Sequence, residues 1–230
     1  MHISENRQVQ AAAKTVLADL LPLISPSSTE RTIASLAASM LGERGFPDTW
    51  YYDCPALVLL GSRSCESISG RRYVPSDECV GEHNLVTVDL SPLRNDIWGD
   101  CARSFYVESG IARENPLSPE FVEGHKLEAR LHTAMLQFVT PETTFHELHQ
   151  FANDLIRSAG YENLDFLGNV GHSICKRRED RVYIETGNRD TLDGVALFTF
   201  EPHIRKSGGR WGFKHENIYY FDDSGKLFEL

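Results

Sequence analysis

The chain has little from which to build a covalent scaffold or a membrane span. Its five cysteines, at positions 54, 65, 79, 101 and 175, are odd in number and include no CxxC pair. That argues against a disulfide framework or a thiolate zinc site and suits free thiols in a reducing compartment. No stretch approaches the roughly 18 apolar residues of a transmembrane helix, so no membrane association is expected. The opening MHISENRQVQ lacks an apolar core and a small-residue cleavage site, so the expected location is cytoplasmic. Positive charge is also short, with 23 Lys and Arg against 33 Asp and Glu and a formal net charge of −10. No nucleic-acid partner is expected from such a balance, although Lys176-Arg177-Arg178 forms a local basic patch.

What the chain does have is ordinary globular material. Of its 230 residues 41 % are apolar and 24 % charged, enough for one large domain or two small ones with a substantial core. It also repeats itself. SPSSTERTIASLAASMLGERGF, from Ser25, matches TPETTFHELHQFANDLIRSAGY, from Thr140, at an offset of 115 residues, half the chain. Pro26, Thr29, Ala37 and Gly45 match Pro141, Thr144, Ala152 and Gly160. Ile33, Leu36, Met40 and Leu41 match Leu148, Phe151, Leu155 and Ile156, the three-and-four spacing of an amphipathic helix. Ser27 with Glu30 has the pattern of a capping box, and Gly45 and Gly160 suit the position just past a helix end.

Another helical stretch precedes each copy, ENRQVQAAAKTVLADLLPLI in one case and SPEFVEGHKLEARLHTAMLQFV in the other. Strand-like runs follow both copies: ALVLLGS, LVTVDLS and IWGDCARSFYV, then VALFTFEP and ENIYYF. Two copies of helix, helix, strands are too few for a solenoid, which needs three or more repeats. They predict a pseudo-symmetric α+β domain over 1–230, with halves at about 1–115 and 116–230 and a ligand site between them.

LVTVDLS and DIWGDCARSFYV read as paired strands around turn residues Pro92, Arg94, Asn95 and Asp96. A two-residue loop at Arg94-Asn95 sets Asp89 directly opposite Asp100. Carboxylates about 4.5–5.5 Å apart on one face repel, and a divalent cation between them removes the conflict. An exposed hairpin with two solvated carboxylates is the simpler alternative. Three further candidates lie in the second half: His172 after a glycine in LGNVGHSI, Glu201 at the end of a strand in LFTFEPHI, and Glu216 at the start of another in GFKHENIYYF. Singly, each reads more simply as a structural histidine or a solvated strand-end glutamate.

Together, in the order Asp, Asp, His, Glu, Glu, they resemble the pita-bread metallopeptidases, the family of methionine aminopeptidase, Xaa-Pro aminopeptidase, prolidase and creatinase. VTVDLSPLRNDIWGDCARSF is similar to the family's strand pair with both aspartates, including an arginine three residues on, here Arg103. GHSI, FTFEP and ENIYYFDDSG are similar to its Gly-His, Thr-x-Glu-Pro and last-strand motifs. The resemblance spans the chain from about Asn6 onward. It implies the internally duplicated pita-bread fold, a curved antiparallel sheet flanked by helices. It also implies a centre of two divalent ions on Asp89, Asp100, His172, Glu201 and Glu216, with Glu201 also accepting a proton from water. An oxygen-rich set with one imidazole suits Mn²⁺, Fe²⁺ or Co²⁺ and accommodates Zn²⁺. The implied activity is hydrolysis of small peptides of the aminopeptidase or Xaa-Pro type. The separate N-terminal domain of the creatinase relatives is not expected here, and the oligomeric state, a homodimer included, is left open.

Two features depart from the family pattern. Histidines are expected 17 or 18 residues before the first aspartate and seven after the ligand histidine. Those positions hold Arg72 or Arg71, and Glu179. Arg71, Arg72 and Glu179 are therefore the substrate-contact candidates, with His203, two residues after Glu201, as a replacement catalytic group. His215 is a second spare histidine, and Cys101 and Cys175 read as small buried residues. The missing histidines keep two alternatives open, recruitment to non-peptide C–N bond chemistry and a binding protein that keeps the fold alone.

Overall fold

In the computed structural model, which describes residues 3–230, the two matched segments become helices with the same ends. α1 (Ile3–Leu20) and α2 (Glu30–Glu43) form the first pair; α3 (Pro119–Phe138) and α4 (Phe145–Ser158) form the second. α2 buries Ile33, Ala37 and Leu41, and α4 buries Leu148, Ala152 and Ile156, the same positions at the 115-residue offset. Each such large side chain, cut to alanine, costs about 2–5 kcal/mol. Gly45 and Gly160 follow the two helices with φ of 84° and 77°, a left-handed turn that glycine adopts without a Cβ clash.

The capping boxes fall on Thr29 with Thr32, and on Thr144 with Glu147. The expected Ser27–Glu30 box is thus displaced by two residues. Glu30 is fully buried, and its carboxylate is taken up by the backbone amides of Leu60 and Ser76 and by Arg63.

The strands in chain order are β1 (Asp48–Thr49), β2 (Ala56–Leu60), β3 (His83–Leu90), β4 (Pro92–Arg94), β5 (Ile97–Trp98), β6 (Cys101–Glu108), β7 (Ile111–Arg113), β8 (Tyr161–Asn163), β9 (Phe198–Phe200), β10 (His203–Lys206), β11 (Gly212–Lys214), β12 (Asn217–Phe221) and β13 (Leu227–Glu229). Every pairing is antiparallel, in sheets ordered β2-β3-β6-β7, β1-β4-β5, β11-β10-β8 and β13-β12-β9.

The alternation in LVTVDL now has a cause. Val86, Val88 and Leu90 pack with Ile33, Ala37 and Leu41 under the first helix pair. Leu85, on the other face, joins the core of the second half with Tyr106 and Phe121. Thr87 and Asp89 share the face of Leu85 by the two-residue period, so Asp89 is aimed at the second half.

The hairpin register differs from the expected one. The turn residues are Asn95 and Asp96, both with positive φ (52° and 61°), as a two-residue primed turn requires and as arginine disfavours. Arg94 therefore faces Ile97, and Asp89 faces Ala102 rather than Asp100. Asp100 is two places along, a diagonal neighbour on the same face. The run DIWGDCARSFYV is also two strands, interrupted at Gly99-Asp100.

A buried histidine ties the second helix pair to the sheet. His132 in α3 bonds Tyr219 Oη at 2.8 Å through Nδ1 and the His215 carbonyl at 3.0 Å through Nε2. Burial pushes its pKa down to about 3. The unfolded chain binds this proton from about pH 6.5 downward and the folded chain does not. The stability it supplies is therefore complete above pH 6.5 and is lost as pH falls toward 3. Between pH 7 and 4.5 His132 should account for about 2–3 kcal/mol of lost stability. Urea midpoints at the two pH values should fall further in the wild type than in His132→Gln. Among the described residues no helix is long and apolar enough to cross a membrane.

Candidate metal centre

Five loops and strand ends converge where the two halves meet. Asp89 comes from β3, and Asp100 from the break before β6. His172 comes from the segment between β8 and β9, Glu201 follows β9, and Glu216 lies between β11 and β12. Asp100, His172, Glu201 and Glu216 are buried, and Asp89 is about a fifth exposed. The donor atoms of Asp100, His172 and Glu216 all lie within 4.8 Å of one another.

Each side chain is held by a distinct local device. Gln10 of α1, itself fully buried, bonds both sides of the Asp100 backbone. Its amide donates to the Asp100 carbonyl and its carbonyl accepts from the Asp100 amide, both at 2.8 Å. Trp50 donates to the Gly99 carbonyl at 3.0 Å and stacks on Trp98 at 4.5 Å, so the chain on either side of Asp100 is fixed. Gln10→Ala leaves two buried groups unpaired and should cost about 2–4 kcal/mol, read as a lower urea midpoint.

His172 follows Gly171, whose φ is 148° and where a Cβ would lie 2.2 Å from the Thr199 carbonyl. Glycine alone permits that approach, and Thr199 Oγ1 in turn accepts from the His172 amide and donates to Glu201 Oε1. His172 Nδ1 donates to the Ser173 carbonyl at 3.0 Å. That bond fixes the tautomer and turns Nε2 toward Asp100 Oδ2 at 3.4 Å and Glu201 Oε1 at 3.6 Å. Arg103 donates to the Glu216 carbonyl and to Asn217 Oδ1, each at 2.8 Å, and the Glu216 amide donates to the Ala102 carbonyl at 3.0 Å. These bonds stitch Glu216 across the boundary between the halves.

The electrostatics are those of too many anions in one buried place. Burial, with Asp89 and Glu201 adding to it and His172 opposing, raises the Asp100 pKa to about 6. Burial together with Asp100 and Glu201 drives Glu216 well above the carboxylate range. Burial acts against the charged imidazole of His172, but Asp100 and Glu201 outweigh it and the pKa is raised. Burial also acts against the Glu201 anion, and there Lys214 and His172 outweigh it and the pKa is lowered. Asp100 Oδ2 and both Glu216 carboxylate oxygens are buried with no hydrogen-bond partner. Orphaned carboxylate oxygens beside an oriented imidazole are a donor set that fits a divalent cation.

Lys214, at the end of β11, is the member of the site that sequence reasoning passed over. Its ammonium lies 2.6 Å from Asp89 Oδ2, 3.1 Å from Glu201 Oε2 and 3.5 Å from Glu216 Oε2. Position 214 shares the face of Glu216 by strand alternation, whereas His215 turns away and packs against His132 at 4.4 Å. That two-residue step from Glu216 was the available signal.

A cavity of about 750 Å³ opens over the cluster, lined by Asp89, Asp100, His172, Glu201 and Lys214, with Trp50, Tyr51 and Tyr183 among its aromatic walls. Arg71, Arg72 and His203 also line it. His203 Nε2 donates to the Ser64 carbonyl at 2.6 Å, and burial, then Lys214, lowers its pKa to about 4. It is neutral, and Nδ1 is left as an acceptor. Glu179, expected at the substrate, is instead a surface residue, 69 % exposed and paired with Arg178 at 3.1 Å. The chain makes a short 3₁₀ turn at Arg178–Asp180 and returns to the cavity two residues later than the simple count, with Arg181 and Tyr183. Arg181 lies over the rings of Trp50 and Tyr183 at 5.1 and 5.2 Å. Neither Cys101 nor Cys175 lines the cavity. Cys101 is fully buried, which raises its thiol pKa, and Cys175 donates to the Arg177 carbonyl.

The profile of metallopeptidase family M24 matches residues 4–223. The chain belongs to that family. Solved structures with the same fold include the X-Pro aminopeptidase of Thermotoga maritima MSB8, with a TM-score of 0.81 and 19 % identity over 99 % of this chain and 60 % of that one. The prolidase of Thermococcus sibiricus superposes with a TM-score of 0.80 and 19 % identity, over 99 % of this chain and 57 % of its own. Dipeptidase PepE of Mycobacterium ulcerans gives 0.75 and 22 %, over 96 % and 55 %. This M24 chain thus has the pita-bread fold and spans somewhat more than half the length of those proteins. No curated protein matches it.

Proposed function

We propose that this M24 chain is a divalent-metal-dependent peptidase of the aminopeptidase or Xaa-Pro type that acts on small peptides. The observation that carries the proposal is the convergence of Asp89, Asp100, His172, Glu201 and Glu216 from both halves, with buried carboxylate oxygens left unpaired. Those five residues would hold the metal, Mn²⁺, Co²⁺ or Fe²⁺ by donor type, with Zn²⁺ also accommodated. Two ions is the number that the family resemblance implies. When bound, such an ion supplies Lewis acidity to a substrate carbonyl and to water.

The chain's own groups do the rest. Glu201 is held ionised beside Lys214 and His172, so it is ready to accept a proton from water. The peptide lies in the cavity against Trp50 and Tyr183. Arg71, Arg72 and Arg181 supply cationic donors for carbonyl oxygens or a terminal carboxylate. His203, with Nε2–H committed to Ser64, accepts from a substrate N–H and gives no proton to a developing oxyanion, so that stabilisation falls to the arginines.

The test is a screen of Met-, Ala- and Xaa-Pro peptides with Mn²⁺ or Co²⁺. Release of the N-terminal residue, abolished by chelation, is the expected result. Metal binding without hydrolysis of any of these peptides would favour the second reading, a non-peptide C–N bond substrate. The guanidinium groups standing where the family pattern has histidine give that reading its support.

A further inference from the structure

We infer that the ammonium of Lys214 takes the place of one cation of the centre, so that this chain holds a single divalent ion on Asp100, His172, Glu201 and Glu216. The inference rests on the metallopeptidase reading and departs from the two ions that the family resemblance implies. The five ligands divide into two ends. At one end Lys214 Nζ is 2.6 Å from Asp89 Oδ2 and 3.1 Å from Glu201 Oε2. Its third carboxylate neighbour, Glu216 Oε2, is 3.5 Å away. An ammonium has three donors, and the two close carboxylate oxygens here belong to Asp89 and Glu201.

At the other end, Asp100 Oδ2 and the Glu216 oxygens have no hydrogen-bond partner, and with His172 Nε2 they form the tight ligand group. Asp89 lies outside that group. Its hydrogen-bonding carboxylate oxygen is engaged by the lysine.

The lysine is built into this position. Its backbone is tied to β6: the amide donates to Ser104 Oγ at 2.9 Å, and Ser104 Oγ donates back to its carbonyl at 3.2 Å. It stands opposite His203 in the β10–β11 register. Ions in a two-metal site sit about 3.5–4 Å apart and share bridging carboxylates. A compact ammonium on Asp89 and Glu201 occupies the lone pairs that a second ion would need, and like charges at that separation repel.

The experiment counts ions rather than turnover. Metal-free protein is equilibrated with graded MnCl₂, bound manganese is measured by elemental analysis, and the electron paramagnetic resonance spectrum is recorded. The wild type should bind one Mn²⁺ per chain and give an uncoupled six-line signal. Lys214→Met should bind a second ion and show the broadened spectrum of an exchange-coupled pair, and Lys214→Arg should stay at one. Circular dichroism checks that each variant is folded, and the wild-type count decides the matter even if Lys214→Met does not fold.

Two coupled ions in the wild type would overturn the inference and leave the peptidase reading standing. One ion in both wild type and folded Lys214→Met would overturn the role given to Lys214. No bound ion in any form would overturn the inference and the metallopeptidase reading together.

Discussion

Glu201→Gln is expected to lower kcat by about 10²–10⁴-fold on whichever peptide the screen identifies, the range for loss of a positioned proton acceptor. The amide keeps the shape of the carboxylate but cannot take the proton from water. It also loses the charge-assisted contact with Lys214 Nζ, 3.1 Å away. The fold should survive, because Glu201 is held between strands by its backbone amide, which donates to the Val170 carbonyl at 2.9 Å. A variant with normal far-ultraviolet circular dichroism and kcat within tenfold of wild type would remove Glu201 from the proton-transfer role. A purely structural role would instead shift the unfolding midpoint and leave kcat of the folded fraction unchanged.

Asp100→Asn should act in opposite directions on activity and on stability. Activity should vanish, since the carboxylate is central to the ligand group. In chelator at pH 7.5, however, the variant should be more stable than wild type by about 2–3 kcal/mol. The reason is the raised pKa, about 6 in the folded state, driven first by burial. A raised carboxylate pKa means that the folded chain holds the proton more tightly than the unfolded chain. The metal-free fold is therefore penalised at high pH and relieved as pH falls through 6. Asparagine is neutral at every pH and carries no such penalty. The gap between the two proteins should narrow to about 0.5 kcal/mol by pH 4, where the folded-state carboxyl is protonated and the unfolded one nearly half so. Urea unfolding in chelator at pH 7.5 and pH 4 measures it, and an equal or less stable Asn variant at pH 7.5 would sink the idea. Functional sites commonly hold such stored instability.

Much of this was legible in the sequence because it follows from periodicity. The matched helices repeat Ile33, Ala37 and Leu41 as Leu148, Ala152 and Ile156, and the period-two pattern of β3 puts Asp89 on one face and Val88 on the other. The five candidate ligands could be read as a set only because several have a distinctive neighbour, as in Gly171-His172 and Thr199-Phe200-Glu201. The exact register was not legible. It depended on which two turn residues took positive φ, and a one-residue shift of the turn, from Arg94-Asn95 to Asn95-Asp96, moves every cross-strand partner by two. Lys214 and Gln10 were hidden for a different reason. A lysine on a strand and a glutamine on a helix read as solvated, and only the tertiary fold shows that both point inward. Arg181 was missed because a short 3₁₀ turn absorbs two residues that a linear count from His172 does not foresee.

Asp89 and Asp100 belong to one half of the molecule, and His172, Glu201 and Glu216 to the other. No fragment confined to either half can assemble the complete nest of donors, so an ion held there would act as a rivet between them. Whatever parts the halves would also have to expel it, and manganese held at 100 times its dissociation constant would add about 2.7 kcal/mol to the riveted state. If the proposed ion binds there, the melting temperature of this protein should be no fixed constant of the chain; it should rise and fall with the free metal around it.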